Sequence, residues 1–74
     1  MDALVIGIDV SKDRLDVCCY PQAEPFAVSR NADGIAALVE RLRPLQPKAI
    51  GLEATGGFET VVAAGLAAAG LPVV

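Results

Sequence analysis

The hydrophobic period of this chain changes at Asn31, and that change limits what it can fold into. Before Asn31 come three short runs of β-branched and aliphatic residues separated by polar turns. Ala3 to Val10 is continuous enough to read as a strand buried on both faces, in the middle of a sheet. Ser11-Lys12-Asp13-Arg14 is a polar turn, and Leu15 to Tyr20 alternates as a strand returning antiparallel. Pro21 to Pro25 forms a second turn, and Phe26 to Ser29 a third strand. After Asn31 the spacing becomes helical. Asn31 is a good N-cap, Asp33 lies in the first turn where the helix dipole favours an acid, and Ile35, Leu38, Val39 and Leu42 share one face. Pro44 ends this helix near Leu42 or Arg43, because the residue before a proline is pushed out of the helical region.

Lys48 to Glu53 reads as a fourth strand and Thr55-Gly56-Gly57 as a tight turn. A second helix follows, with Glu59 in its first turn and Phe58, Val61, Val62, Leu66 and Ala69 on one stripe. Gly70 is its C-cap, and Leu71 to Val74 opens a fifth strand. The order is therefore β-β-β-α-β-α-β. Short turns make the first three strands an antiparallel meander, and the crossover helix sets the fourth parallel to the first. The expected fold is α/β: a mixed sheet of order 3-2-1-4-5 with helices on its faces, the ribonuclease-H-like arrangement that actin-like ATPases share at their core. Residues 1–74 make one small domain at most, and are expected to be the amino-terminal portion of an incomplete one, stopping in or after the fifth strand.

Composition removes several function classes. With 54% hydrophobic and 20% charged residues the chain is not a disordered tail. It has no histidine, which excludes Ser-His and Cys-His nucleophile systems and histidine zinc sites. Cys18 and Cys19 are adjacent, so they pair poorly and are expected to be reduced. Aromatic residues are only 4%, too few for a base-stacking platform. A net charge of −3 argues against an independent electrostatic binder of nucleic acid, but leaves room for carboxylates that cations neutralise. Val61 to Val74, the most apolar tract, falls short of the about 20 residues of a membrane span. No signal peptide is visible after the acidic Met1-Asp2 start, so the expected location is the cytoplasm, with no membrane partner.

Two strands end alike, the first in Gly7-Ile8-Asp9 and the fourth in Gly51-Leu52-Glu53. Strands alternate faces at each residue, so each glycine shares a face with its acid. Parallel neighbours about 4.8 Å apart bring both carboxylates side by side at the carboxyl end of the sheet, where open α/β sheets bind ligands. Such a pair repels itself unless a divalent cation intervenes. Magnesium, with manganese as a substitute, takes oxygen ligands from one or two carboxylates plus substrate phosphate. Asp9 alone reads more simply as a turn-forming Asp; Glu53 in the matching place makes the pair a metal-binding and catalytic candidate. Ser11 and Lys12 after Asp9, and Thr55 and Gly56 after Glu53, are candidate phosphate or DNA contacts. Each also has a plain reading, as a solvated hairpin turn and as a tight strand-to-helix turn.

Ile6-Gly7-Ile8-Asp9-Val10-Ser11-Lys12, Leu15-Asp16-Val17, Asn31 with Gly34, and Gly51 to Phe58 together resemble the amino-terminal region of bacterial insertion-sequence transposases of the DEDD type. That group has a RuvC-like nuclease domain and is related to the Piv DNA invertases. Asp9 matches the first member of its Asp-Glu-Asp-Asp tetrad and Glu53 the second. The resemblance implies magnesium-dependent DNA cleavage and strand transfer, with DNA as partner, a guide RNA in some members, and a homo-oligomeric full-length protein. The two later aspartates fall outside this sequence, so the chain alone is expected to be inactive. A nucleotide-binding module of the actin, sugar-kinase and Hsp70 type is the competing reading, and an inactive remnant is the third. The former places a glycine and a hydroxyl soon after the opening Asp, whereas here Val10-Ser11-Lys12 offers only a hydroxyl and a lysine.

Overall fold

A computed structural model describes residues 4–21, 24–54 and 56–74. Strand β1 (Val5–Val10), β2 (Arg14–Tyr20) and β3 (Phe26–Ser29) are followed by helix α1 (Ala32–Leu42), strand β4 (Ala49–Ala54) and helix α2 (Glu59–Ala68). The sheet has the order β3-β2-β1-β4, with β1 antiparallel to β2 and parallel to β4. The fifth strand is reduced to a single parallel bridge between Val73 and Ile50, on the far edge of β4 where that strand was expected. Two backbone bonds secure it, Ile50 N–H to the Pro72 carbonyl and Val74 N–H to the Ile50 carbonyl, both 2.9 Å. The expected start of the first strand at Ala3, and part of the Pro21 to Pro25 turn, lie outside the described residues.

The local signals act as their chemistry requires. Asn31 caps α1, its side-chain oxygen accepting the Gly34 N–H at 2.7 Å. Helix α1 stops at Leu42 and passes into a 3-10 turn, Arg43–Leu45, with Pro44 in its opening positions. At Gly34 the helix comes so near β3 that an added Cβ would lie 1.8 Å from the Ser29 carbonyl oxygen. Only glycine fits there.

One core holds the molecule together. Ile6, Ile8 and Val10 of β1, Leu15, Val17 and Cys19 of β2 and Ile50 of β4 pack against Ile35, Leu38, Val39 and Leu42 of α1 and Val62 and Leu66 of α2. Register aligns these strand residues on one face, so both helices cover the same side. This corrects the expectation of helices on both faces and of a first strand buried on both. β1 is central, but Val5 is 40% exposed and Asp9 is exposed. The reason is topological. Parallel crossovers are right-handed, and the steps from β3 to β4 and from β4 to the Val73 bridge run the same way across the sheet, which puts both helices on one face. The stripe expected on α2 is also narrower. Val62 and Leu66 are buried, Val61 is 58% exposed, and Phe58 precedes the helix as its N-cap residue.

Candidate active site

The open face of the sheet is laid out in rows by the strand register. Asp9 of β1 is the register partner of Glu53 on β4 and of Asp16 on β2. Two residues back, Gly7 partners Gly51 and Cys18. Two further back, Val5 partners Ala49 and Tyr20. Side chains alternate along a strand, so all three rows face the side without helices. The result is a shallow groove of about 630 Å³ with a floor of small residues and an acidic row at one end. An added Cβ on Gly51 would meet nothing within 4 Å, and one on Gly7 would touch only the Tyr20 ring at 3.7 Å.

A second hollow of about 600 Å³ lies over the carboxyl ends of β1 and β4. Asp9, Ser11, Lys12, Glu53 and Phe58 line it. The structure therefore brings four of the candidates, Asp9, Glu53, Ser11 and Lys12, into one concavity. Gly56 is not among its walls, and Thr55 lies outside the described residues. Gly56 and Gly57 have φ of 74° and 79°, a left-handed turn that glycine adopts without strain. Ser11 is partly committed to the hairpin: its hydroxyl donates to the Arg14 carbonyl at 3.0 Å, beside its own N–H at 2.9 Å.

Asp9 and Glu53 are both exposed. Among the described residues the one ion pair joins Arg14 to Asp16, with Nη2 2.9 Å from Oδ1, and it leaves the Asp9 and Glu53 carboxylates without a cation. No group of three metal-binding side chains forms among those residues. Two exposed carboxylates on adjacent strands fit magnesium, which usually keeps several waters and takes further oxygens from substrate phosphate. They would supply only part of a coordination shell.

Three residues of this region were not singled out for it from the sequence. Asp16 stands opposite Asp9, and the signal was present: a two-residue hairpin loop at Lys12-Asp13 sets Ser11 against Arg14 and hence Asp9 against Asp16. Phe58 lines the hollow, although helical periodicity assigns it to the core stripe. Arg30 lies with its guanidinium carbon 5.0 Å from the centroid of the Phe58 ring, a contact between distant segments with no local signature.

No protein-family profile matches the sequence, and no curated protein matches it. Among solved structures the chain is similar to the RuvC structure of Thermus thermophilus, with a TM-score of 0.59 and 20% sequence identity. The similarity covers 95% of this chain and 59% of that one, so the chain spans little more than half the length of this neighbour. The fold of this chain is RuvC-like, of the ribonuclease-H-like class.

Proposed function

We propose that residues 1–74 are the amino-terminal portion of a RuvC-like catalytic domain that cleaves and joins DNA phosphodiesters in a transposase or recombinase. The observation that carries this reading is the register of Asp9 with Glu53 on the open face, beside a hollow that also contains Ser11 and Lys12. Asp9 and Glu53 would hold a magnesium ion, or manganese in its place, as the first two carboxylates of a DEDD tetrad. When bound, the ion supplies charge neutralisation at a phosphodiester and a more acidic water. The chain's own contribution is positional. β1 and β4 fix the two carboxylates on adjacent strands, and Lys12 offers a cation to an approaching phosphate. Residues beyond this chain would complete the tetrad. The guide RNA and self-assembly rest on the transposase resemblance alone.

Titration of the chain with Mn²⁺, followed by electron paramagnetic resonance, tests the pairing. Asp9→Asn and Glu53→Gln should each remove most of the bound signal while leaving the circular dichroism spectrum unchanged. Equal Mn²⁺ binding by both variants and the parent chain would remove the pair from the mechanism. In a longer protein carrying this chain, Asp9→Asn should abolish DNA cleavage.

A further inference from the structure

Arg30 follows β3 and belongs to neither acidic strand, yet it touches both turns that flank the acidic pair. Its Nε donates to the Lys12 carbonyl at 2.6 Å, and its backbone N–H donates to the Asp13 carbonyl at 3.0 Å. Those bonds attach the end of β3 to the hairpin turn after Asp9. The same guanidinium lies 5.0 Å from the centroid of the Phe58 ring, within the range of a cation–π contact. Phe58 closes the turn that follows Glu53, and its ring packs near Gly56, whose Cβ would lie 3.5 Å from Phe58 Cε2. No strand ladder joins these two turns, because β1 and β4 pair only as far as Val10 and Ala54. Beyond that register, the Arg30 contacts connect them.

We infer that Arg30 is a positioning residue that clamps the turn after Asp9 to the turn after Glu53 and so sets the width of the hollow between Lys12 and Phe58. This rests on the reading of Asp9 and Glu53 as a metal-binding pair only for its consequence; the clamp itself is a property of the two turns. A guanidinium suits the task because its rigid fork donates to a carbonyl from Nε while the same cation lies within cation–π range of a ring. A lysine in its place carries the charge but on a flexible stem, without the rigid fork that fixes both contacts at once.

Amide hydrogen exchange on the chain, read at Ser11 to Asp13 and at Gly56 to Phe58, tests the clamp without metal. Arg30→Ala should speed exchange in both turns by about two- to fivefold, the size of one exposed cation–π contact, while amides of β1 and β4 keep their protection. Arg30→Lys should leave most of that increase in place. Phe58→Leu keeps an apolar side chain and removes the ring, so it should speed exchange in the distant Ser11 to Asp13 turn; this variant decides the matter if Arg30→Ala fails to fold. Unchanged exchange at Ser11 to Asp13 in Phe58→Leu, or an effect of Arg30→Ala confined to Ser11 to Asp13, would overturn the clamp. In the same samples Mn²⁺ affinity should fall about two- to fivefold in Arg30→Lys, which keeps the positive charge beside the acids, and far more in Asp9→Asn. Loss of the exchange coupling counts against the clamp whatever the metal does. Absence of Mn²⁺ binding in the parent chain, with the coupling intact, counts against the metal reading alone.

Discussion

Along β1, β2 and β4 the two faces of this four-stranded sheet share almost no chemistry. On the covered face β1, β2 and β4 present Ile6, Ile8, Val10, Leu15, Val17, Cys19 and Ile50, all buried under α1 and α2. On the open face the intervening residues are Gly7, Asp9, Asp16, Cys18, Gly51 and Glu53, and none of them is buried. One face holds the fold together and the other carries every acid of the candidate site. Stability and chemistry are thus separated by a single residue step along each strand. A one-residue slip of β1 against β4 would exchange them, and the helix-facing ladder of Ile6 with Ile50 and Ile8 with Leu52 opposes such a slip.

The largest effects should come from the covered face. Leu38 is fully buried at the centre of the core, so Leu38→Ala should cost about 2–5 kcal/mol. That approaches the whole stability of a domain this small, about 3–5 kcal/mol, and thermal melting should show little folded protein. The same exchange, glycine to alanine, then sharpens the contrast between the faces. Gly34→Ala drives a methyl group into the Ser29 carbonyl and should cost about 3 kcal/mol, at the top of the range for overpacking. Gly7→Ala and Gly51→Ala meet open space or one ring edge, and should raise stability by up to about 1 kcal/mol by removing glycine from strand interiors. Urea unfolding of the three variants checks this. Destabilisation by Gly51→Ala as large as that by Gly34→Ala would mean the open face is packed in solution.

Much of this contrast is legible in the sequence. Asn31, the spacing of Ile35, Leu38, Val39 and Leu42, and Pro44 locate α1, because capping and proline act through neighbouring atoms. The matched Gly-x-acid endings give the register of Asp9 with Glu53, since parallel pairing leaves few alternatives. The two-sided burial expected of β1 fails because an aliphatic run does not say how many layers cover it. Strand order carries that information, through the handedness of two crossovers stepping the same way. The Arg30–Phe58 contact is different in kind. It depends on two turns meeting in space, and no spacing along the chain announces it. Ser11 shows the limit of motif reading: its hydroxyl serves the hairpin whether or not it also meets a phosphate.

The adjacent cysteines carry the contrast into titration. Cys19 is buried on the covered face, and burial raises its thiol above the ordinary 9.0, with the neighbouring Cys18 adding to the rise and Arg41 opposing it. A native thiol that keeps its proton longer than the unfolded one stabilises the fold fully below about 9.0. That contribution is lost as the pH climbs from there through the raised native value. Stability measured between pH 8 and 10.5 should therefore fall more steeply for the parent chain than for Cys19→Ala, and equal slopes would show that Cys19 is not buried in solution. Cys18 lines the open groove, so iodoacetamide should modify it in the native protein and reach Cys19 only on unfolding.

The smallest effect tests whether charge on the open face belongs to function and not to stability. Arg14 places Nε and Nη2 each 2.9 Å from the same Asp16 oxygen, and the two side chains are 64% and 47% exposed. An exposed pair of this kind contributes little, so Arg14→Gln should change unfolding free energy by less than about 0.5 kcal/mol. Its influence on the acidic row should be easier to measure. Asp16 is the register partner of Asp9, one strand away, and that spacing is within the Debye length of about 10 Å at 0.1 M salt. Removing the guanidinium leaves Asp16 uncompensated beside Asp9 and Glu53 and deepens the negative potential there. Mn²⁺ binding should tighten about two- to threefold at low ionic strength, and the difference should vanish near 1 M salt, where screening acts over about 3 Å. Weaker binding in Arg14→Gln would mean that the Arg14–Asp16 pair helps to build the site, and the separation between a stabilising face and a chemical one would have to be redrawn at β2.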